Sequence, residues 1–267
     1  MQITLNNGLI MPLVGYGTYE MGTEHVLSAL QAGYRQIDTA NGYHNEKEVG
    51  EAIRQSGIPR QDIFLVTKVT NGAQREDTVL QEFEQSLQNL GTDYVDLYLI
   101  HWPVKEKYVD TWKVFETIYK SGRAKSIGVS NFQTYHLDEL RKHWEIVPAV
   151  NQIELHPKLT QTELVTYCAK DNIAIQAWSP LGAGKAAIHD NPTLLAIADK
   201  YAVTPAQVVM RWIVEQGIVA IPRSRDAGRI ATNADIAGFE LTADERAQIA
   251  GLNENLRTGP DPDNFNF

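Results

Sequence analysis

Cysteine is almost absent from this chain, and that absence excludes two kinds of site. The 267 residues contain one cysteine, Cys168. An intramolecular disulfide and a thiolate-rich metal cluster each need more than one thiol. The seven histidines include no His-x-His pair at the end of a predicted strand and no run at zinc spacing. We therefore predict a protein of a reducing compartment that holds no metal.

Long apolar runs and a positive net charge are also missing. No window approaches the roughly 18 apolar residues of a transmembrane helix, and Met1 to Ile10 lacks the basic and apolar segments of a signal peptide. The chain has 24 basic and 33 acidic residues, a net charge of −9. This balance disfavours nucleic acid and anionic membranes as partners, although a local basic site for a small anion is compatible with it. We expect a soluble, cytoplasmic monomer.

Short apolar runs alternate along the chain with longer amphipathic stretches. Several runs are apolar throughout, which is typical of strands buried on both faces of a parallel sheet. Eight are predicted strands: Leu13–Tyr16, Tyr34–Ile37, Ile63–Thr67, Val95–Ile100, Ser126–Val129, Ala149–Gln152, Ile173–Ala177 and Ile218–Ile221. Helical spacing of apolar residues runs from Val79 to Leu90, before Gly91. Capping-box patterns stand at Thr160–Glu163, Thr204–Gln207 and Thr242–Glu245.

Eight strand-and-helix units in series favour a (β/α)₈ TIM barrel over an open doubly wound sheet. Asn7-Gly8 suits a tight turn and predicts an N-terminal β-hairpin between Ile3–Leu5 and Leu9–Ile10. No linker or shift in composition interrupts residues 1–267, so we predict a single barrel domain. A short C-terminal tail from Asn253 to Phe267 shows no clear element.

The residues that follow the predicted strands indicate the chemistry, because the active site of such a barrel lies at the carboxyl ends of its strands. Those residues are Asp38 and Tyr43, Lys68, His101, Ser130 and Asn131, Gln152, Trp178 and Ser179, and Arg223 and Ser224. Each alone also fits a structural role, such as an ion pair of Asp38 with Lys68 or a core position for Trp178. Together they have the chemistry of a carbonyl-reducing site.

A phenol beside an ammonium suits the delivery of a proton to a carbonyl oxygen whose carbon accepts a hydride. The phenol of Tyr43 has an ordinary pKa of about 10. A charge about 4 Å away contributes roughly 4 kcal/mol at an effective dielectric constant near 20. We expect Lys68, held by Asp38, to lower the pKa of Tyr43, with desolvation opposing that shift.

These motifs resemble those of the aldo-keto reductases, in particular prokaryotic members such as 2,5-diketo-D-gluconate reductases. The signature runs from Gly33 to Ala40 and continues at Tyr43, Glu46, Val49 and Gly50, with Gln36 slightly outside the usual pattern. Further similar segments are Gly17-Thr18, Thr67-Lys68, His101-Trp102-Pro103, Gly128 to Phe132, Asn151-Gln152 through His156-Pro157, and Ile221 to Ser224. The resemblance therefore covers nearly the whole chain.

The resemblance implies an oxidoreductase that uses NADPH and needs neither metal nor flavin. Tyr43 is then the proton donor, Lys68 and Asp38 its tuning pair, and His101 the residue that orients the substrate. The implied cofactor contacts are Gly17, Thr18, Ser130, Asn131 and Gln152, the aromatic Trp178, the pyrophosphate residues Ser179, Leu181 and Gly182, the 2′-phosphate residues Arg223, Ser224 and Arg229, and Asn233 near the adenine. The implied substrate contacts are Tyr19, Tyr43, His101 and Trp102.

Two departures from the family pattern concern the anion site and the rim of the pocket. Arg223 replaces the usual lysine and keeps its charge. Glu20 stands where a basic residue is usual, so a positive charge near the pyrophosphate or at the rim of the pocket is missing. Only eight residues separate Pro103 from Trp112, and the tail is brief and polar. We therefore expect an open site that prefers small aldehydes and α-dicarbonyls to keto-sugar acids and steroids.

Two other classes of function stay open at this point. Some relatives of this fold are auxiliary subunits of ion channels, and such a subunit binds a cofactor without turnover. No added docking segment is apparent here, and the four catalytic positions are all present. A metal-dependent barrel hydrolase is disfavoured by the histidine spacing.

Overall fold

The structure, a computed structural model, describes residues 1–267 and consists of a closed parallel barrel with a small hairpin. The antiparallel hairpin is β1 (Gln2–Thr4) and β2 (Ile10–Pro12). The parallel strands follow in chain order: β3 (Tyr16–Gly17), β4 (Gln36–Asp38), β5 (Phe64–Val69), β6 (Leu97–Ile100), β7 (Ile127–Ser130), β8 (Val150–Glu154), β9 (Ala174–Trp178) and β10 (Val219–Ile221).

Main-chain hydrogen bonds between the first and last parallel strands close the barrel. Val14 forms a parallel bridge with Ala220. The amide of Ala220 donates to Leu13 O at 2.8 Å, and the amide of Gly15 donates to Ala220 O at 2.9 Å. The predicted hairpin and eight-stranded barrel are therefore confirmed.

Eleven α-helices occupy the connections and the segment after β10. They are α1 (Thr23–Gln31), α2 (Glu46–Ser56), α3 (Asn71–Arg75), α4 (Val79–Leu90), α5 (Tyr108–Lys120), α6 (Thr134–Arg141), α7 (Thr162–Ala169), α8 (Pro192–Tyr201), α9 (Pro205–Val214), α10 (Ala227–Ala234) and α11 (Ala243–Ala250). Short 3₁₀ turns cover Asn41–Tyr43, Arg60–Asp62 and Gly182–Gly184. One cluster of buried apolar side chains joins the strands to the helices around them. None of the helices has the length and hydropathy needed to span a bilayer.

Two of the three predicted capping boxes form. The hydroxyl of Thr204 accepts from the Gln207 amide at 3.2 Å, and that of Thr242 accepts from the Glu245 amide at 3.2 Å. The box predicted at Thr160–Glu163 is wrong, because α7 begins two residues later, at Thr162. Its preceding residue, Gln161, has a φ of 48° and donates from Nε2 to the main-chain oxygen of Glu154 at 2.6 Å. This contact with β8 outweighs the local pattern.

The strand ends differ from the predicted ones by at most three residues, and the ends at Ile100 and Ile221 agree. The second barrel strand begins at Gln36 rather than Tyr34, because the amide of Tyr34 donates to Ala29 O at 3.1 Å and so completes the end of α1. Gly33 has a φ of 98° and makes the turn between that helix and β4.

Candidate active site

Four polar side chains meet at the carboxyl ends of β4, β5 and β6. Lys68 on β5 is completely buried, and its Nζ donates to Asp38 Oδ1 at 2.6 Å, to Thr39 O at 2.8 Å and to Tyr43 Oη at 3.4 Å. The ring centroids of Tyr43 and His101 are 5.6 Å apart. The structure thus brings together the four predicted catalytic side chains.

The loop after β4 positions Tyr43 through a short 3₁₀ turn and a buried asparagine, Asn45, which was not among the predicted site residues. Asn45 Oδ1 accepts from the Thr39 hydroxyl at 3.0 Å. Its Nδ2 donates to Thr18 O at 2.6 Å and to Met21 O at 2.9 Å. Asn45 therefore ties the loop that carries Tyr43 to the loop after β3.

Of the two opposing effects predicted for the pKa of Tyr43, desolvation is the larger. Desolvation by the surrounding protein raises the pKa of the phenol, and the nearby Lys68 ammonium lowers it only in part. The net shift is upward because the cost of charging the phenol in this environment exceeds the attraction of the ammonium. Tyr43 is consequently a protonated phenol at physiological pH.

The ion pair beside Tyr43 has a well-defined charge state. Burial disfavours the ammonium of Lys68, but Asp38 and Tyr43 outweigh that effect and hold the pKa of Lys68 above its ordinary value. Burial raises the pKa of Asp38, while Lys68 and a 2.7 Å hydrogen bond from Gln152 Nε2 oppose the rise. The geometry is that of an ammonium facing a carboxylate.

The imidazole of His101 is neutral at physiological pH. Burial lowers its pKa to about 3, and repulsion from Lys68 adds to that shift. The main-chain oxygen of His101 accepts from Asn131 Nδ2 at 3.0 Å, which fixes the start of the loop after β6. A neutral imidazole keeps one N–H that can be donated to a carbonyl oxygen.

The predicted nicotinamide-binding residues form one hydrogen-bonded group at the ends of β7, β8 and β9. Trp178 Nε1 donates to Asn131 Oδ1 at 2.9 Å, and Asn131 Nδ2 donates to Ser130 Oγ at 3.1 Å. Ser130 Oγ in turn donates to the main-chain oxygen of Gln152 at 2.8 Å. The indole of Trp178 is half-buried, and its edge is held by this group.

The remaining predicted cofactor contacts lie in three loops around the same mouth. Gly17 N donates to Pro222 O at 3.0 Å, and the Thr18 hydroxyl donates to Asp38 O at 3.0 Å. After β9, Gly182 N donates to Ser179 O at 2.8 Å and begins the 3₁₀ turn that follows Leu181.

The basic residues after β10 differ in their partners. Arg223 forms an ion pair with Glu20, with 2.9 Å between Nη1 and Oε2. Arg229 lies in the first turn of α10, and its main-chain amide donates to Asp226 Oδ1 at 2.8 Å. Its guanidinium forms no ion pair with a carboxylate, and its Nε donates to Ser224 Oγ at 3.4 Å. Asn233 is buried on the same helix. The family resemblance places position 20 near the pyrophosphate or the rim of the pocket, but the ion pair of Glu20 with Arg223 was not predicted.

The C-terminal tail returns across the mouth and contributes aromatic side chains. The ring of Trp102 lies 5.0 Å from that of Phe265 and 5.2 Å from that of Phe267. The main-chain oxygen of Phe267 accepts from Asn71 Nδ2 at 2.8 Å and from Arg75 Nη2 at 3.0 Å. The description of the tail as polar therefore misses its two phenylalanines, and the Phe-x-Phe pattern at its end was the overlooked signal. Trp102 is largely covered by these rings.

The other predicted substrate contact, Tyr19, is exposed. Its ring packs edge-on against that of Tyr43, with 5.2 Å between the ring centroids.

A buried carboxylate holds the tail beside Trp178. Glu154 Oε1 accepts from the Thr258 amide at 2.7 Å, from the Thr258 hydroxyl and from His156 Nε2. Burial favours a raised pKa, but these hydrogen bonds hold the pKa of Glu154 below its ordinary value. The next residue, Gly259, lies so close to the indole that a Cβ there would be 2.4 Å from Trp178 Cη2. Trp178 is thus fixed between Asn131 and the tail.

Comparison with known proteins agrees with this arrangement. Residues 15–254 match the aldo/keto reductase family. Glyoxal reductase of Bacillus subtilis is 47% identical over 270 residues, which cover 99% of this chain and 97% of that protein. Methylglyoxal reductase DkgA of Salmonella typhimurium is 42% identical over 269 residues, with 98% and 97% covered. The crystal structure of a Gox0644 mutant in complex with NADPH superposes with a TM-score of 0.94 at 40% identity, covering 100% of this chain and 99% of the other. The chain belongs to the aldo/keto reductase family of oxidoreductases.

Proposed function

We propose that this protein is an NADPH-dependent reductase of small aldehydes and α-dicarbonyl compounds, with Tyr43 as the proton donor. The observation that carries the proposal is the hydrogen-bonded series from Asp38 through Lys68 to Tyr43, with His101 against the phenol. Each of these groups has the protonation state that carbonyl reduction requires. The phenol holds a proton, the ammonium is charged and the imidazole is neutral.

The residues around the mouth fit a phosphorylated dinucleotide. Arg229 has a guanidinium without an acidic partner beside the hydroxyl of Ser224, and this donor pair suits a phosphate group. The indole of Trp178 offers an aromatic surface, and the Asn131 amide and the Ser130 hydroxyl lie next to it in one hydrogen-bonded group. NADPH, when bound, supplies the hydride. The NADPH complex of Gox0644 supports this choice of cofactor.

Side chains of the protein deliver the proton and stabilise the negative charge that develops on the carbonyl oxygen. The neutral His101 donates a hydrogen bond to the carbonyl oxygen and orients it toward Tyr43. Tyr43 then donates its proton to that oxygen, and Lys68 stabilises the tyrosinate that remains. Asp38 keeps Lys68 charged and fixed in position.

The walls of the pocket favour a compact substrate. Tyr19, Tyr43, His101 and the Trp102–Phe265 pair provide a few aromatic surfaces rather than a deep apolar channel. Each CH₂ that stays exposed forfeits about 0.8 kcal/mol of transfer free energy, so a steroid gains little here. Glu20 stands beside Tyr19 in place of the usual basic residue, so an attraction for an anionic sugar acid is missing. The glyoxal and methylglyoxal reductases among the relatives support this preference.

A comparison of substrates tests the proposal. NADPH oxidation is followed with methylglyoxal, an aromatic aldehyde, 2,5-diketogluconate and a ketosteroid, and kcat/KM is compared. We expect methylglyoxal and the aldehyde to rank first. A ketosteroid in first place contradicts the proposed substrate class. NADPH binding without turnover of any carbonyl compound favours the regulatory alternative.

A further inference from the structure

The loop after β3 places a carboxylate against the basic residues that follow β10. Glu20 Oε2 lies 2.9 Å from Arg223 Nη1 and 3.6 Å from Arg225 Nη2. The main-chain oxygen of Tyr19 accepts from Arg223 at 2.9 Å, and that of Glu20 accepts from Arg225 at 3.4 Å. Two of the three guanidinium groups near the proposed phosphate site therefore already have an anionic partner.

The loop is built to present Glu20 in this position. Glu20 has a φ of 59°, a conformation that residues with a Cβ rarely adopt. The turn is held on both sides of it, because Asn45 Nδ2 donates to Thr18 O and Met21 O, and the Met21 amide donates to Thr18 O at 2.9 Å. The carboxylate is thus fixed at the tip of a braced turn, which argues against a chance surface contact.

The pair is accessible to a ligand that competes for it. The side chains of Glu20 and Arg223 are 52% and 39% exposed. A phosphate that approaches Arg223 must displace the carboxylate or share the guanidinium with it, and the two anions repel each other at that distance. The guanidinium of Arg229 has no carboxylate partner, so a phosphate that binds there does not have to displace one.

We infer that Glu20 determines cofactor choice, by competing with the 2′-phosphate of NADPH for Arg223 and Arg225. This inference rests on the proposed function, which assigns Ser224 and Arg229 of the same segment to a phosphate group. Glu20 lowers the affinity for NADPH and leaves the affinity for NADH nearly unchanged. It therefore reduces the preference of the protein for NADPH over NADH. Substitution of Glu20 by glutamine removes the competitor while it preserves the size of the side chain.

The test measures binding rather than turnover. Dissociation constants of NADPH, NADH and 2′,5′-ADP are determined by titration calorimetry for the unmodified protein, Glu20→Gln and Glu24→Gln. Glu24 is the matched control, because it lies four residues away and its carboxylate contacts His25 rather than an arginine. We expect Glu20→Gln to bind NADPH and 2′,5′-ADP about 3- to 30-fold more tightly and NADH less than about 2-fold more tightly, an effect that weakens with salt. Glu24→Gln should behave as the unmodified protein.

Further outcomes separate this inference from the proposed function. The gain in affinity should disappear in Glu20→Gln combined with Arg223→Gln, because the competed guanidinium is then absent. Weaker NADPH binding by Glu20→Gln, equal gains for NADH and NADPH, or an equal gain in Glu24→Gln overturns the role of Glu20 even if carbonyl reduction is observed. A protein that binds none of the three ligands overturns both proposals.

Discussion

Lys68 and Asp38 form a fully enclosed ion pair, with 2.6 Å between Nζ and Oδ1, at the base of the candidate active site. The pair stands on neighbouring parallel strands, so its geometry is set by the sheet and not by a mobile loop. The only phenol within reach of the ammonium is that of Tyr43. Tyr43 is therefore the one phenol whose proton transfer the charge of Lys68 can assist.

Substitution of the phenol tests the proposed proton transfer. We expect Tyr43→Phe to lower kcat by at least about 100-fold, because general acid catalysis contributes that much or more. NADPH affinity, measured by titration calorimetry, should be unchanged. Lys68→Met should give a similar loss, and the double variant should be little worse than either, since the two groups act as a unit. A Tyr43→Phe enzyme that keeps more than a tenth of the normal kcat argues against Tyr43 as the donor.

Fluorescence tests the placement of Trp178. Binding of NADPH should quench the intrinsic emission of the protein, and Trp178→Ala should remove most of that quenching although four other tryptophans stay. Quenching that persists in Trp178→Ala places the nicotinamide beside another aromatic residue.

A pair of glycine variants tests whether the tail positions the indole. A methyl group at residue 259 meets Trp178 Cη2 at 2.4 Å, and overpacking of this kind costs about 1–3 kcal/mol. We expect Gly259→Ala to weaken NADPH binding at least about 3-fold, as measured by calorimetry. Gly238→Ala is the control, because nothing lies within 4 Å of its added Cβ. Equal affinities in the two variants contradict a positioning role for the tail.

The neutral His101 predicts how stability depends on pH. Its pKa is about 3 in the folded protein and about 6.5 in the unfolded chain, so below pH 6.5 the unfolded chain binds a proton that the folded protein does not. Stability therefore falls as the pH drops from 7 to 5, with about 2 kcal/mol of the loss due to this residue. Urea unfolding at both pH values should show a smaller loss in His101→Gln. An unchanged loss in that variant indicates that His101 is protonated in the folded protein.

The aromatic tail predicts a difference between substrates. Removing the ring in Phe265→Ala uncovers Trp102 and takes away apolar surface near the pocket. We expect kcat/KM for an aromatic aldehyde to fall at least about 5-fold and that for methylglyoxal less than about 2-fold, since only the larger substrate can reach that surface. Leu256→Ala is the control, because Leu256 is an exposed tail residue with no part in the Trp102 cluster. Equal losses for both substrates contradict a specificity role for Phe265.

The parts of this structure that depend on local pattern were predictable, and those that depend on distant partners were not. The alternation of apolar runs with amphipathic stretches was sufficient to predict the barrel. The positions of Lys68 and Tyr43 after their strands were sufficient to predict that the two side chains lie close together. No local pattern reveals that Glu20 contacts Arg223, 203 residues further along the chain. The direction of the net pKa shift of Tyr43 could not be predicted either, because the extent of its desolvation depends on how several elements pack around it.

The arrangement of Lys68 also bears on the chemical selectivity of a protein that handles reactive carbonyl compounds. A primary amine beside an aldehyde ordinarily condenses with it to an imine, and that reaction needs a free lone pair on nitrogen. The three N–H bonds of Lys68 point to Asp38, Thr39 and Tyr43, and its raised pKa keeps the third proton in place. The nitrogen thus has no lone pair to offer, and its complete burial leaves no path for attack. On the proposed function, the same contacts that make Lys68 an electrostatic partner of the phenol protect it from modification by the substrate.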